Sequence, residues 1–226
     1  MTLPSGKSLD TGYSHIPYTK GEEIANSIIH GIGFGLSVAG LVILVVYATI
    51  GGDAWRIVSF SIYGSSLVSL YLASTLYHSF QGPRIKLVFR IIDHSSIFIL
   101  IAGTYTPFML VSLRGAIGWV IFGVIWGLAL TGILFKVLFV NKFRILSLMV
   151  YIAMGWLCVM ILPDMLKNIP RGGIIFLVIG GLFYTLGIIF YVWRKLSFNH
   201  AIWHIFVLSG SIFHYFAVLF YVLPVN

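Results

Sequence analysis

Two histidines four residues apart, in the run His200-Ala201-Ile202-Trp203-His204, open a long apolar stretch near the C-terminus. On a helix they share one face, one turn apart, so a single metal ion can reach both imidazoles. The same pair can also be two histidines at a membrane interface, with Asn199 capping the helix start. Ionisable groups are costly inside a bilayer, which makes each one within an apolar span a candidate for function. His30, His78, Asp93, His94 and His214 fall in or at the ends of such spans, whereas His15 lies in a polar N-terminal stretch. Whether these groups form one site depends on the elements that carry them.

The chain is 59% hydrophobic and 9% charged over 226 residues. Soluble domains are about 25% charged, so the composition describes an all-α, polytopic membrane protein. Polar punctuation cuts the sequence into seven runs, approximately 25–49, 56–79, 90–112, 117–139, 144–162, 173–193 and 200–222. Each is about the 20 residues that cross a bilayer's hydrocarbon. The connections are short and hold turn residues such as Gly51-Gly52-Asp53, Gln81-Gly82-Pro83 and Pro163-Asp164. Residues 1–23 are mostly polar, with no signal-peptide core, and are expected to form a disordered cytoplasmic tail. Residues 24–226 then form the membrane domain. Glycines inside the spans suit close helix approach in lipid. Cys158, the single cysteine, permits no internal disulfide.

Lys and Arg set the orientation. Lys7, Lys20, Arg84, Lys86, Arg90, Lys136, Lys142, Arg144, Arg194 and Lys195 fall on one side; Arg56, Arg114, Lys167 and Arg171 fall on the other. The positive-inside rule then places the N-terminus in the cytoplasm and the C-terminus outside. The basic residues come in ones and twos and build no nucleic-acid patch.

With that orientation His30, His78, Asp93, His200 and His204 all sit in the cytoplasmic third of the bundle. His214 lies ten residues beyond His204, about 15 Å deeper at 1.5 Å per residue. Three imidazoles from two helices plus a carboxylate match a catalytic zinc site, which takes three protein ligands and leaves one position for water. His78, His200 and His204 would be the ligands, and Asp93 would bind or deprotonate the water. Ser74, one turn before His78, would support the ligands or steady the developing oxyanion. Taken singly, these residues have plainer readings. Arg90 can pair with Asp93, Ser74 can bond back to its own helix, and His214 can be a buried hydrogen-bonding residue. Glu23, Asn26 and His30 share a face of the first span, either as a polar network between helices or as a second layer around the metal. His94 points away from Asp93's face. Pro107, after Gly103, is expected to kink the third span.

The sequence resembles the haemolysin III branch of the progestin and adipoQ receptor superfamily. The resemblance rests on Glu23-x2-Asn26-x3-His30, Ser74-x3-His78, Asp93, Gly103-Thr104-Tyr105-Thr106-Pro107, His200-x3-His204 and His214, and runs from about residue 20 to the end. It implies a seven-helix protein of the bacterial cell membrane with a cytoplasmic N-terminus. It also implies zinc on His78, His200 and His204, with Asp93 contacting zinc-bound water. Links within the superfamily to ceramide hydrolysis imply a zinc-dependent amidase or esterase acting on membrane lipids.

Two alternatives stand beside that expectation: a non-enzymatic, zinc-stabilised sensor or regulator of membrane state, and a cytolytic pore. No span shows a polar stripe wide enough to line a water-filled channel. Retinal is excluded because the last span has no lysine for a Schiff base. Haem is not expected either, since two histidines one turn apart cannot ligate opposite faces of one ring.

Overall fold

The computed structural model describes residues 18–140 and 142–223. Residues 1–17, which hold His15 and most of the expected tail, lie outside the described residues. The chain is helical throughout and, among the described residues, contains no strand. Its elements are α1 (Lys20–Gly51), α2 (Ala54–Ser79), α3 (Pro83–Pro107), a π-helical turn (Phe108–Ser112), α4 (Ala116–Phe139), α5 (Arg144–Gly155), a 3₁₀ turn (Leu157–Ile161), α6 (Leu162–Asn168), α7 (Arg171–Val192) and α8 (Asn199–Tyr221).

Among the described residues six helical segments are long and apolar enough to cross a membrane: α1, α2, α4, the broken segment Arg144–Asn168, α7 and α8. α3 is equally long, but its polar residues set it apart. Asp93, Ser95, Ser96, Thr104 and Thr106 are all buried along it.

α1 shows how the sequence sorts its faces. Its buried positions are Glu23, Asn26, His30, Gly33, Ser37, Gly40, Leu44 and Ala48, a stripe that repeats every three or four residues. Ile28, Ile32 and Leu36 point outward, 58%, 57% and 53% exposed. Small and polar residues face the neighbouring helices while branched apolar ones face out, the reverse of a soluble helix. At Gly33 the absence of a side chain is required, because a Cβ there would lie 2.5 Å from the Tyr71 ring. The helix starts with a capping box: Glu22 N donates to Thr19 Oγ1 at 3.2 Å, and Thr19 N donates to Glu22 Oε2 at 2.8 Å. This start lies within the stretch expected to be tail and puts Glu23 on the first turn. At 32 residues the helix is about 48 Å long at 1.5 Å per residue, longer than the hydrocarbon it would cross.

The span expected at 144–162 is broken. α5 stops at Gly155, and Tyr105 of α3 explains the stop. Its hydroxyl faces the carbonyls of Met154 and Gly155 at 2.9 and 3.0 Å and accepts from Cys158 N at 2.9 Å. Backbone groups freed by the break are thereby satisfied inside the bundle. Pro163, read from sequence as a turn, instead sits in the first turn of α6, where its missing N–H costs nothing. Pro107 ends α3, and the chain continues as a π-helical turn rather than a simple kink. Gly103 serves close packing, since a Cβ there would collide with Ser66 of α2.

The tightest helix pairs are α1 with α2, α7 with α8, and α2 with α3, while α5 is only loosely packed. Two links tie α5 and the residue after it to α7. Arg144 Nε donates to Tyr191 OH at 3.0 Å, and Trp156 Nε1 donates to Thr185 Oγ1 at 3.0 Å.

Candidate metal centre

α1, α2, α3 and α8 converge at the end of the bundle where α1 and α8 begin. Glu22 fixes the two starts together: besides its part in the capping box, its Oε1 accepts from Phe198 N at 3.0 Å. Phe198, in the left-handed region with φ 56°, turns the chain into α8. Asn199 does not cap α8. Its side-chain amide donates to Phe190 O at 3.0 Å and closes the end of α7.

The first turns of α8 place His200 and His204 toward His78, in the last turn of α2. All three are buried, and each offers a ring nitrogen within 4.8 Å of the other two. His78 Nε2 and His204 Nε2 are 3.2 Å apart. Nitrogen ligands about 2.0–2.1 Å from a tetrahedral ion stand about 3.3–3.4 Å apart, so the observed separation fits two ligands of one metal.

The tautomer of His78 fits as well. Its Nδ1 donates to Glu23 Oε2 at 2.6 Å, while Lys86 Nζ donates to Glu23 Oε1. A neutral His78 that donates from Nδ1 presents its lone pair at Nε2, toward His204. A carboxylate that orients a metal-binding imidazole in this way also raises its basicity. Asn26 Nδ2 lies 3.4 Å from the same His78 Nδ1. Buried donors and acceptors ordinarily find partners. His200 Nδ1 and His204 Nδ1 have none among the described residues.

The other candidate residues divide clearly. Asp93 lines the same cavity as His200 and His204 and lies close to both Ser74 and His78. Ser74 is wholly buried and, among the described residues, its hydroxyl has no hydrogen-bond partner. It stands behind the cavity wall, as His78 does. His30 is buried, and among the described residues neither ring nitrogen has a hydrogen-bond partner. Its ring centroid lies 3.6 Å from that of His204 and 5.1 Å from that of Tyr71. Of the three polar residues on α1, then, Glu23 and Asn26 reach His78 and His30 packs on His204. His214 sits apart from this group: its ring Nε2–H donates to Leu177 O at 3.0 Å, in a notch left by Gly180.

The cavity measures about 1390 Å³ and runs from these histidines along α3, α5 and α7 to His214. Its walls are mostly apolar, and it is large enough for an amphiphile. Three groups at the site were not singled out from sequence. Lys86 is 63 residues from Glu23 in the chain. Tyr18 stacks on His200 with ring centroids 4.9 Å apart, and burial pushes its phenol above the usual range. Lys136, counted from sequence only toward orientation, faces the cavity. No local pattern announces any of the three.

A helical membrane bundle enclosing a buried three-histidine group is the class that the fold and site define, and the chain belongs to the haemolysin-III related family, which it matches over residues 18–215. It is 51% identical to hemolysin-3 of Bacillus cereus over 203 residues, covering 90% of this chain and 93% of that one. It is 49% identical to the hemolysin-3 homolog of Bacillus subtilis over 208 residues, covering 92% and 98%. It is also 28% identical to human monocyte to macrophage differentiation factor over 203 residues, covering 87% and 83%, in keeping with the wider progestin and adipoQ receptor superfamily. With its six long apolar segments, it is a multi-pass protein of the bacterial membrane.

Proposed function

We propose that this protein is a zinc-dependent hydrolase of acyl lipids, cleaving a ceramide-like amide or an ester. The site would lie at the cytoplasmic end of a seven-span bundle, with the N-terminus inside and the C-terminus outside. One observation carries the reading: a three-histidine group able to hold a metal meets the Asp93 carboxyl at the wall of one large cavity. Zinc bound there would polarise the acyl carbonyl and bring the pKa of a bound water toward about 7.

The chain's own residues supply the rest. His78, oriented by Glu23, and the His200/His204 pair would hold the ion. Asp93 would accept a proton from the attacking water and return it to the leaving group. Ser74, behind the wall, would position Asp93 rather than touch the lipid. The apolar cavity would seat the acyl chain.

One observation favours a second reading. An ion shared by His78 and the α8 pair would tie α2 to α8, two helices with few direct contacts. Zinc would then stabilise a sensor or regulator of membrane state without turnover.

One preparation tests both. Purified protein should carry one zinc per chain, lose it in His204→Ala, and release fatty acid from a ceramide or an ester lipid. Asp93→Asn should keep the zinc and abolish release. Bound zinc with no release from a broad lipid panel would overturn the hydrolase and leave the regulator.

A further inference from the structure

Hydroxyls on these helices commonly bond back to their own helix. Ser61, Thr75 and Ser209 each donate to the carbonyl one turn earlier, at 2.7, 2.7 and 2.9 Å. Ser211 does otherwise. It is 4% exposed, and its Oγ accepts from Tyr71 OH of α2 at 2.7 Å and lies 2.7 Å from Tyr184 OH of α7. One hydroxyl, with two lone pairs and one proton, can serve both phenols. Two glycines make room for the rings. A Cβ at Gly33 would lie 2.5 Å from the Tyr71 ring, and one at Gly210 would lie 2.9 Å from the Tyr184 ring.

The place of the Tyr71–Ser211 bond matters more than its presence. α8 packs chiefly on α7 and α1, and approaches α2 little along the backbone. Two side-chain contacts bridge that gap, Tyr71 to Ser211 at 2.7 Å and His78 to His204 at 3.2 Å. Tyr71 precedes His78 by seven residues, and Ser211 follows His204 by seven. Seven residues are two helical turns, so each pair shares a face, and both contacts lie about 10 Å apart along the two helices. The helices run antiparallel with one register satisfying both contacts. A single contact would leave α8 free to pivot on α2; two fix its rotation and its translation together. Slipping by one turn moves a residue about 5.4 Å, far beyond the few tenths of an ångström that metal–ligand distances tolerate.

We propose that the Tyr71–Ser211 bond is the positioning contact of the metal centre, holding α8 in the register that brings His204 to His78. This rests on the reading of the three histidines as a metal centre, whereas the register itself needs no ion. Neither residue is a ligand. They act through the helices, as supporting groups that hold a site in its productive geometry.

Tyr71→Phe and Tyr184→Phe make the test, because each deletes one bond of 2.7 Å to the same Ser211 and only the first joins α2 to α8. Tyr71→Phe also keeps the ring that packs edge-on against His30 at 5.1 Å. Zinc affinity is measured by chelator competition, and ligand geometry by the visible absorption of cobalt(II) in place of zinc. Tyr71→Phe should bind zinc at least about tenfold more weakly, the effect of losing a group that supports a ligand, and should alter the cobalt spectrum. Ser211→Ala should do the same and decides the matter if Tyr71→Phe folds poorly. Tyr184→Phe should keep the wild-type affinity and spectrum. Equal losses in Tyr71→Phe and Tyr184→Phe would mean general loosening and overturn the proposal, as would wild-type behaviour in Tyr71→Phe.

A second measurement needs no metal. Spin labels at Ser79 and Ile205, both exposed, report the α2–α8 distance by pulsed electron resonance in metal-free protein carrying Cys158→Ser. The distribution should be narrow in the wild type and in Tyr184→Phe, and shifted or at least about twice as broad in Tyr71→Phe and Ser211→Ala. An unchanged distribution in both of the latter would overturn the proposal. A wild type that binds no zinc would instead sink the reading of the histidines, and the distances would then decide the register alone.

Discussion

Glu23 on the first turn of α1 meets the Nδ1 of His78, the penultimate residue of α2, at 2.6 Å. The bond turns the opposite nitrogen of that ring toward His204, and Lys86 holds the far oxygen of the carboxylate. An acidic residue at the start of a spanning helix thereby becomes the device that sets the tautomer of a buried histidine.

Substituting Glu23→Gln should therefore weaken metal binding by about 10–100-fold, the usual effect of removing such an outer carboxylate. Metal titration with a competing chelator measures it. Lys86→Met should shift affinity in the same direction by less, since it leaves the carboxylate in place. Wild-type affinity in Glu23→Gln would show that the bond does not orient a ligand.

Stripping the metal should lower the thermal unfolding midpoint of the wild type. A ligand present at about 100 times its dissociation constant stabilises the folded state by about 2.7 kcal/mol. His204→Ala should unfold at one temperature with or without chelator. A chelator shift of full size in that variant would move the ion away from α8.

His30→Ala should retain one metal per chain by elemental analysis. His30 packs at a tilt against His204 but lies outside the group of ring nitrogens that approach one another within 4.8 Å. His200→Ala should lose the metal. If His30→Ala loses it as well, the centre has four histidine ligands and no open position, which would end the hydrolase reading.

Tyr105→Phe should destabilise the bundle by about 1–3 kcal/mol, the cost of leaving buried polar groups unsatisfied. The lost hydroxyl serves the carbonyls of Met154 and Gly155 and the N–H of Cys158. Tyr47→Phe, at a ring 58% exposed, is the control and should leave the unfolding midpoint unchanged.

Much of this was legible in the sequence because the bilayer imposes strong local rules. Long apolar runs cut by glycine, proline and charge place most of the helices to within a few residues. The count of Lys and Arg brings Glu23, His30, His78, Asp93, His200 and His204 to one end of the bundle. The features that escaped depend on partners far away in the chain. The break in α5 is set by a phenol 50 residues upstream of Gly155, which no local pattern encodes. Lys86 looked like a loop charge because its partner lies on another helix. α4 is apolar almost all round, so hydrophobicity does not mark its inward face. Small residues do not mark it either, since Gly123 and Gly127 face outward while Ile125 and Lys136 are buried.

The three histidines come from distant parts of the chain: His78 lies 126 residues before His204. A growing polypeptide emerges N-terminus first, so the ribosome releases His78 long before His200 and His204. Glu22 on α1 likewise waits for the Phe198 amide. Were the group to hold an ion, its capture would be a late event in biogenesis that reports arrival of the final helix, and a chain whose last span is cut off or wrongly inserted would be marked as one that never acquires it.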